Sequence, residues 1–239
     1  MILATVLNVS NEYQLAQALW FQKQAVARGH DVTCLTNHPR PAGLKHARLV
    51  YPWPTWWAKM ELFNPEGTLG AEDLLYFDLD TVLVGSLKPI VDAVWREQEP
   101  GIFTPLDSMV ALSDFYHEQD GRDLLASGMM WIPASIKARV WEVWMSGWQR
   151  HLNKSRGVGQ VGDQGFLNEV VGTDALRWQK VCPDKVLSYK CHVAGPTDVG
   201  YHGARSKGDG SIPLDTEVVC FHGKPRPWEL ISKLPWIPK

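Results

Sequence analysis

Two aspartates one residue apart, Asp78 and Asp80, are the residues of this sequence whose types and spacing point most directly to chemistry. They follow the apolar run "LLYF" and precede "VLV", so we expect them at the end of a buried β-strand. Side chains at positions i and i+2 of an extended chain point the same way, which lets both carboxylates converge on one cation. Such oxygens suit magnesium or manganese, ions that commonly keep coordination positions open for phosphate oxygens.

The same acids permit other interpretations, and the residues around them weigh against each. Two solvated acids at a strand end are hard to reconcile with apolar residues on both sides. "FDLDTVL" also fits the first motif of phosphatases of the haloacid dehalogenase type, in which the first Asp attacks phosphorus and the second acts as acid and base. There the motif usually opens the catalytic domain, whereas here a β-α-β unit precedes it, and "GDQGFLN" supplies a single acid, Asp163, where a pair is wanted.

Strands and helices alternate before the acid pair and would position it. Residues 2–8 form a predicted first strand, and "DVTCLT" forms a second. Between them Asn11 is placed to cap a helix, with Gln14 as its capping-box partner, and the apolar stripe of that helix stops at Gly29. This alternation predicts an α/β fold with a mostly parallel central sheet and helices on both faces. Ligands of such sheets bind at the carboxyl ends of the strands.

Further elements continue the alternation. We predict a short strand over Leu49–Tyr51, a helix over Thr55–Phe63 and a strand over Leu74–Phe77 that delivers the acid pair. The segments "SGMMWIP" and "EVVCF" are typical of buried strands. A helix follows the first of these segments, and its predicted apolar face consists of Ile136, Val140, Val143, Trp144 and Trp148.

Composition predicts one soluble domain over residues 1–239 and argues against several functions. Hydrophobic residues make up 45% of the chain and charged residues 21%, as in globular proteins, and a net charge of -2 leaves no footprint for nucleic acid or a membrane. The four cysteines form no CxxC pair, so we predict neither a zinc cluster nor a disulfide framework, and a reducing cytoplasm is the simplest compartment. The amino terminus is typical of a strand rather than a signal peptide, and no apolar run reaches the ~18 residues of a membrane span.

Two further features have more than one interpretation. The sequence has twelve tryptophans, several of them in "YPWPTWW" and "VWEVWMSGW". They are consistent with aromatic core packing or with a stacking wall for a sugar ring or a base. The Gly-rich segment Val193–Pro213 is typical of a loop that closes over a ligand, and we hypothesise a lid there.

Taken in order, these motifs resemble those of GT-A-fold glycosyltransferases, most closely the retaining, UDP-sugar-dependent enzymes of glycosyltransferase family eight. The resemblance implies a GT-A-type, Rossmann-like fold in a single domain. It further implies a nucleotide-binding half over residues 1–105 and an acceptor-binding half over residues 106–239. The segments that carry it are "WWAKMELF", "LLYFDLDTVLVGS", "ASGMMWIP", "VGDQGFLNEV" and "CFHGKPRPW".

The resemblance assigns a metal site and a diphosphate site. Asp78, Asp80 and His222 would bind a divalent ion between the phosphates of a nucleotide-sugar donor. An imidazole among carboxylates favours manganese, with magnesium as the second choice. Gly223 and Lys224 would contact the pyrophosphate.

It also assigns the sugar and nucleoside contacts. Asp163 and Gln164 would lie beside the anomeric carbon, where the transition state resembles an oxocarbenium ion. Lys59 would pair with a donor phosphate or with one of the motif acids, and Asn11 and Tyr13 would contact the uridine. The acceptor stays open and would be a saccharide, a protein, a small molecule or a modified base. A nucleotide-sugar binding module without turnover is the alternative to an enzyme.

This sequence departs from the family pattern at three places. Ala126, Ser127 and Gly128 replace the family's Asn-Ala-Gly, and Gly165 replaces a second Asp after the Asp-Gln pair. The spacing from the histidine to the basic-Pro-Trp segment is about two residues shorter than in the family. Either Lys224 or Arg226 could therefore take the phosphate role.

Overall fold

The computed structural model describes residues 1–99, 102–115, 121–154, 162–195 and 208–239. Strands are the main elements, and helices or loops connect most of them. In chain order the strands are β1 Ile2–Leu7, β2 Val32–Thr36, β3 His46–Arg48, β4 Leu74–Phe77, β5 Thr81–Leu83, β6 Trp95–Glu99, β7 Ile102–Pro105, β8 Val110–Ser113, β9 Leu125–Ile132, β10 Leu176–Arg177, β11 Val186–Ser188 and β12 Val218–Cys220.

A seven-stranded sheet in the order β10-β8-β9-β4-β1-β2-β3 forms the centre of the molecule. β1 pairs in parallel with β2 and β4, and β2 with β3, whereas β9 runs antiparallel to β4 and β8. β11, β12 and β5 form a second, smaller sheet, and β6 pairs with β7. β4 and β9 are fully buried, as expected for continuous apolar runs in the middle of a covered sheet.

Helices cover both faces of the central sheet, which confirms the predicted α/β class. None of the helices in the described ranges is long and apolar enough to cross a membrane. The helices are α1 Leu15–Val26, a 3₁₀ helix over Thr55–Phe63, α2 Lys88–Ala93, α3 Ala134–Lys154, α4 Gly162–Val171, α5 Trp178–Val181, a π-helical turn over Tyr189–Val193, and α6 Pro227–Leu230.

Each face of the sheet has its own apolar core. On one face α1 contributes Phe21 and Ala25, and Phe21 packs against Phe77 of β4. On the other face the 3₁₀ helix, α3 and α4 meet around aromatic residues, and Trp57 stacks on Trp144 with ring centroids 4.9 Å apart. β4 is therefore fixed from both sides, and so is the point at which it delivers Asp78.

The predicted cap of the first helix is wrong. Gln14, not Asn11, caps α1: the N–H of Gln14 donates to the side-chain oxygen of Gln17 at 2.9 Å, and the N–H of Gln17 donates to the carbonyl of Gln14 at 3.2 Å. The turn before the helix is closed by Ser10, whose hydroxyl accepts from the backbone N–H of Tyr13 at 3.1 Å. Asn11 lies inside this turn, three residues too early to begin the helix.

Two other local predictions are also wrong. The expected strand over Leu49–Tyr51 does not form, because the N–H groups of Val50 and Tyr51 each donate to the Glu61 carboxylate at 2.8 Å. Val143 is 38% exposed and so lies off the apolar face of α3. The hypothesised lid lies mostly outside the described residues, since 196–207 are not among them.

Candidate functional site

A cavity of about 1030 Å³ opens at the carboxyl ends of β1 and β4. Segments from most of the chain line it: the loop after β1, the acid pair after β4, the beginning of the 3₁₀ helix, the beginning of α4, and the turn after β12. Asn11 and Lys224 are not among its lining residues. The predicted site residues that do line it are Tyr13, Lys59, Asp78, Asp80, Asp163, Gln164, His222 and Gly223.

Lys59 joins two of these acids. Its ammonium lies 2.9 Å from Asp78 and 3.1 Å from Asp163, and its side chain is 10% exposed. It also donates to the Ser127 hydroxyl at 3.2 Å. Burial alone lowers the pKa of Lys59, but the charges of Asp163 and Asp78 outweigh burial, so its pKa lies above the ordinary value. Lys59 therefore stays protonated and holds the acids together.

Asp78 is the acid whose protonation is most affected by its surroundings. Burial raises the pKa of Asp78 to about 6, and the nearby charge of Lys59 opposes that rise. About a third of its side chain, 31%, still reaches the cavity. The Tyr76 hydroxyl donates to the Asp78 carboxylate at 2.5 Å, and Tyr76 lies two residues earlier on the same side of the strand.

Asp80 is bound by a cation of the chain itself. Nη1 of Arg226 is in contact with Oδ2 of Asp80, and the N–H of Gly223 donates to the same oxygen at 3.3 Å. The other side of the guanidinium binds Glu12, with Nε 2.8 Å from Oε1. Burial lowers the pKa of Arg226, but the bond to Glu12 and the charge of Asp80 raise the pKa by more than this, so it lies above its ordinary value. Arg226 is therefore a fixed positive charge at this end of the cavity.

His222 lines the cavity and has an unpartnered ring nitrogen. Its Nε2 atom is buried and has no hydrogen-bond partner among the described residues. Burial lowers the pKa of His222 to about 4, so the ring is neutral at physiological pH. A Cβ built on Gly128 would be in van der Waals contact with Asp78 Oδ2 at 3.6 Å and with His222 Cε1 at 3.8 Å, so both side chains lie close to the backbone of Gly128.

These residues fit a divalent cation in type, although they do not form a finished ligand set. Neutral imidazole and carboxylate oxygens are suitable donors, and the buried Nε2 of His222, which has no hydrogen-bond partner among the described residues, is consistent with a missing ligand. Within the described residues, however, no three His, Cys, Asp or Glu side chains are grouped closely enough to hold an ion. The metal site predicted from the sequence is thus not assembled in this arrangement, in which Arg226 contacts Asp80.

Asp163 and Gln164 lie in the first turn of α4, which points them at the cavity. The Asp163 carboxylate is 6% exposed, and the Ser127 hydroxyl donates to it at 2.5 Å. A carboxylate in the first turn of a helix is also favoured by the helix dipole. Ser127 therefore has a definite role: together with Lys59 it fixes the position of Asp163.

The structure places three further residues at the cavity, Tyr76, Trp56 and Glu12, to which the sequence analysis assigned no individual role. Tyr76 had a detectable signal, because side chains two apart on a strand share a side. Trp56 lies three residues before Lys59, and this spacing puts both on one side of a 3₁₀ helix. Trp56 is 46% exposed, whereas Trp53 and Trp57 are buried, so the tryptophan-rich segment serves both the core and the cavity wall. Glu12 had no sequence signal, because its partner Arg226 is 214 residues away.

Solved glycosyltransferases share this fold over the whole chain. A galactosyltransferase, LgtC, in complex with donor and acceptor sugar analogs aligns with 100% of this chain and 98% of its own, with a TM-score of 0.60 and 16% sequence identity. The glycosyltransferase GlyE of Streptococcus pneumoniae aligns with 95% of this chain and 56% of its own, with a TM-score of 0.60 and 13% identity. The bifunctional glycosyltransferase WbbM aligns with 98% of this chain and 50% of its own, with a TM-score of 0.53 and 12% identity.

The predicted fold is confirmed by these likenesses: the chain has the α/β fold of GT-A glycosyltransferases. No protein-family model and no curated protein sequence matches the chain. At identities of 12–16% a structural likeness establishes architecture, so the chemistry must be argued from the cavity itself.

Proposed function

We propose that the protein is a glycosyltransferase that moves a sugar from a nucleotide donor, of the UDP-sugar class, to an acceptor with retention of configuration. The observation that carries the proposal is the cavity at the carboxyl ends of β1 and β4. It gathers an acid pair, an orphaned imidazole and fixed cations in a chain with the glycosyltransferase fold. Ligands of open α/β sheets bind at this edge, and a leaving diphosphate needs positive charge there.

The diphosphate end of the donor is assigned to the region around Asp80 and Arg226. Arg226 lines the cavity, whereas Lys224 is exposed and does not, which favours Arg226 for the pyrophosphate contact. Asp78, Asp80 and His222 would hold the divalent ion, with manganese preferred over magnesium. When bound, this ion would neutralise the charge that develops on the departing diphosphate.

The sugar end is assigned to the beginning of α4. The Asp163 carboxylate, fixed by Lys59 and Ser127, would stabilise the positive charge that builds up on the sugar ring as the donor bond breaks. Gln164 lies next to it on the cavity wall. Tyr13, from the loop after β1, is the remaining predicted nucleoside contact, and acceptor binding by residues 106–239 stays a prediction.

A thermal-shift experiment tests the donor assignment. We expect UDP with MnCl₂ to raise the Tm more than either alone, because a ligand that binds the folded state stabilises it by about 2.7 kcal/mol at a hundred times its Kd. For a chain of this size that free energy corresponds to about 5–10 °C. Asp80→Asn should abolish the gain. Asp92→Asn, which removes an exposed carboxylate paired with Lys88 on α2, is the matched control and should keep it.

Turnover distinguishes an enzyme from the alternatives. We expect release of UDP from one member of a UDP-sugar panel in the presence of an acceptor extract, with the product anomer read by NMR. A thermal response without any UDP release would instead support a binding module. Magnesium-dependent release of phosphate from a generic ester, abolished by Asp78→Asn, would support the phosphatase. No response to any nucleotide, with or without manganese, would refute the glycosyltransferase.

A further inference from the structure

The guanidinium of Arg226 is held on three sides at the acid pair. Nη1 contacts Asp80 Oδ2, Nε contacts Glu12 Oε1 at 2.8 Å, and the guanidinium carbon lies 4.9 Å from the centre of the Tyr13 ring. The side chains of Arg226 and Asp80 are 12% and 6% exposed, so their contact forms away from bulk water. Charge-assisted bonds of this kind are short and strong, and the planar guanidinium fits a carboxylate better than an ammonium does.

This arrangement blocks one of the predicted metal ligands. The Oδ2 atom of Asp80 already receives Arg226 and the N–H of Gly223. An ion that used this oxygen would have to displace the guanidinium or share the oxygen with it. The Nε2 atom of His222, another predicted metal ligand, has no such competitor, since it lacks a hydrogen-bond partner among the described residues.

Charge balance points the same way. Three carboxylates lie at the acid pair: Asp78, Asp80 and Asp163. Their negative charges face three positive ones, on Lys59, Arg226 and Lys190. Lys190 donates to the His222 carbonyl at 2.8 Å. Glu12 adds a fourth carboxylate at the rim, where it is 40% exposed. While Arg226 stays in contact with Asp80, a divalent cation at the same carboxylate would place two positive centres side by side in a largely buried site, which is costly. A nucleoside diphosphate bound at the same time supplies negative charge to both of them.

We propose that Arg226 makes cation binding at the acid pair depend on a diphosphate: its guanidinium holds Asp80 until phosphate oxygens take it over, so the site accepts the cation and the diphosphate together. This inference rests on the proposed function and adds a residue that sets its ligand specificity. The guanidinium need not leave the cavity in the exchange, because Glu12 and Tyr13 keep it at the rim beside the acid pair. Phosphate is as good a bidentate partner for arginine as carboxylate.

Direct measurement of Mn²⁺ binding tests the proposal without any activity assay. Free Mn²⁺ is titrated by its electron paramagnetic resonance signal against the full chain, with and without saturating UDP. For the wild-type chain we expect weak Mn²⁺ binding alone and at least tenfold tighter binding with UDP, which is within the usual range of coupling between two sites. By linkage, Mn²⁺ must tighten UDP binding by the same factor.

The variants separate contact from charge. We expect Arg226→Gln to bind Mn²⁺ alone about tenfold more tightly than the wild-type chain and to lose most of the coupling to UDP. Arg226→Lys keeps the charge but loses the planar guanidinium, so its Mn²⁺ affinity should lie between those of the wild-type chain and Arg226→Gln. It also replaces Arg226→Gln as the test variant if Arg226→Gln does not fold. Lys233→Gln is the matched control, since Lys233 is exposed and outside the cavity lining, and its Mn²⁺ affinity should stay within twofold of wild type.

Two outcomes would overturn the inference and leave the proposed function standing. One is tight Mn²⁺ binding by the wild-type chain that neither UDP nor Arg226→Gln changes. The other is an equal gain in Mn²⁺ affinity in Arg226→Gln and Lys233→Gln, because general charge would then explain it. Absence of both Mn²⁺ and UDP binding in the wild-type chain would instead refute the proposed function, and the inference with it.

Discussion

Replacing Lys59 by methionine would leave the carboxylates of Asp78 and Asp163 without the ammonium that bridges them. The bridging distances are 2.9 and 3.1 Å, and the side chains of Lys59 and Asp163 are 10% and 6% exposed. Removing one partner of a buried ion pair costs about 3–5 kcal/mol. Because Asp78 is 31% exposed and so partly solvated, we expect the lower end, a loss of about 3 kcal/mol in the free energy of unfolding. The Tm should fall by about 6–12 °C.

The loss should grow with pH. In the wild-type chain burial raises the pKa of Asp78 to about 6, above its unfolded value of 3.8, so its contribution to stability is complete below 3.8 and is lost as pH rises through 6. Lys59 opposes this rise, and without it the pKa of Asp78 moves higher still. In the variant, folded Asp78 then keeps its proton at pH values where unfolded Asp78 has lost it, and this pH range extends further upwards than in the wild-type chain. The variant should therefore lose more stability relative to wild type at pH 8 than at pH 5.5.

Urea denaturation at these two pH values is the assay, with Lys59→Met, Asp163→Asn and the double variant forming a cycle. A coupling of about 1–3 kcal/mol is expected between residues in such a network. Lys45→Met is the matched control: Lys45 pairs with Asp31 at the surface, where the two side chains are 59% and 80% exposed, so its loss should be small. A loss below about 1 kcal/mol for Lys59→Met at pH 8, or equal losses at both pH values, would refute the bridging role.

Two more predictions concern single sites outside the acid pair. Lys137 is fully buried, donates to the carbonyls of Leu69 and Glu72 at 2.6 Å each, and has a pKa that burial lowers to about 8. The folded pKa of Lys137 lies below its unfolded value of 10.5, so its contribution to stability is complete above pH 10.5 and is lost as pH falls through 8. Lys137→Met should remove this pH dependence, measured by urea denaturation at pH 7.5 and pH 10. The variant should also lose about 1–3 kcal/mol in the free energy of unfolding, because the two carbonyls are left unpaired. Gly162 has a φ of 72°, and a Cβ at this position would lie 2.3 Å from Nε1 of Trp56. Gly162→Ala should therefore destabilise the chain by about 1–3 kcal/mol. It should also displace the Trp56 indole, which would change the tryptophan fluorescence emission. An unchanged pH profile in the first variant, or unchanged stability and emission in the second, would count against these accounts.

The elements that the sequence predicts best are those decided by local pattern. β4 is a continuous apolar run and β1 is apolar except for Thr5, and the bounds of both strands fall within a residue of the prediction because most of their side chains are buried. The position of Asp78 and Asp80 follows from β4 alone. Local pattern could also have predicted Tyr76, because it shares a strand face with the predicted site residue Asp78.

Features that depend on residues far apart in the sequence could not be predicted from local pattern. The strand expected at Leu49–Tyr51 fails because a carboxylate from a later helix, Glu61, accepts from that backbone. Which basic residue meets the acid pair was left open between Lys224 and Arg226, since local spacing does not reveal that the turn after β12 directs Arg226 towards Asp80. Such contacts are fixed by tertiary packing, which a local pattern does not encode.

The ion pair of Arg226 with Glu12 joins residues 214 positions apart, and this has a consequence for folding. Contacts of such high sequence separation form after most of the chain-closure entropy has been lost, so the cavity is complete only once nearly all of the sheet has assembled. A ligand bound there acts as a cross-link between an early and a late segment of the chain. Its binding free energy should therefore slow hydrogen exchange in β1 and β12 together, as a single cooperative unit.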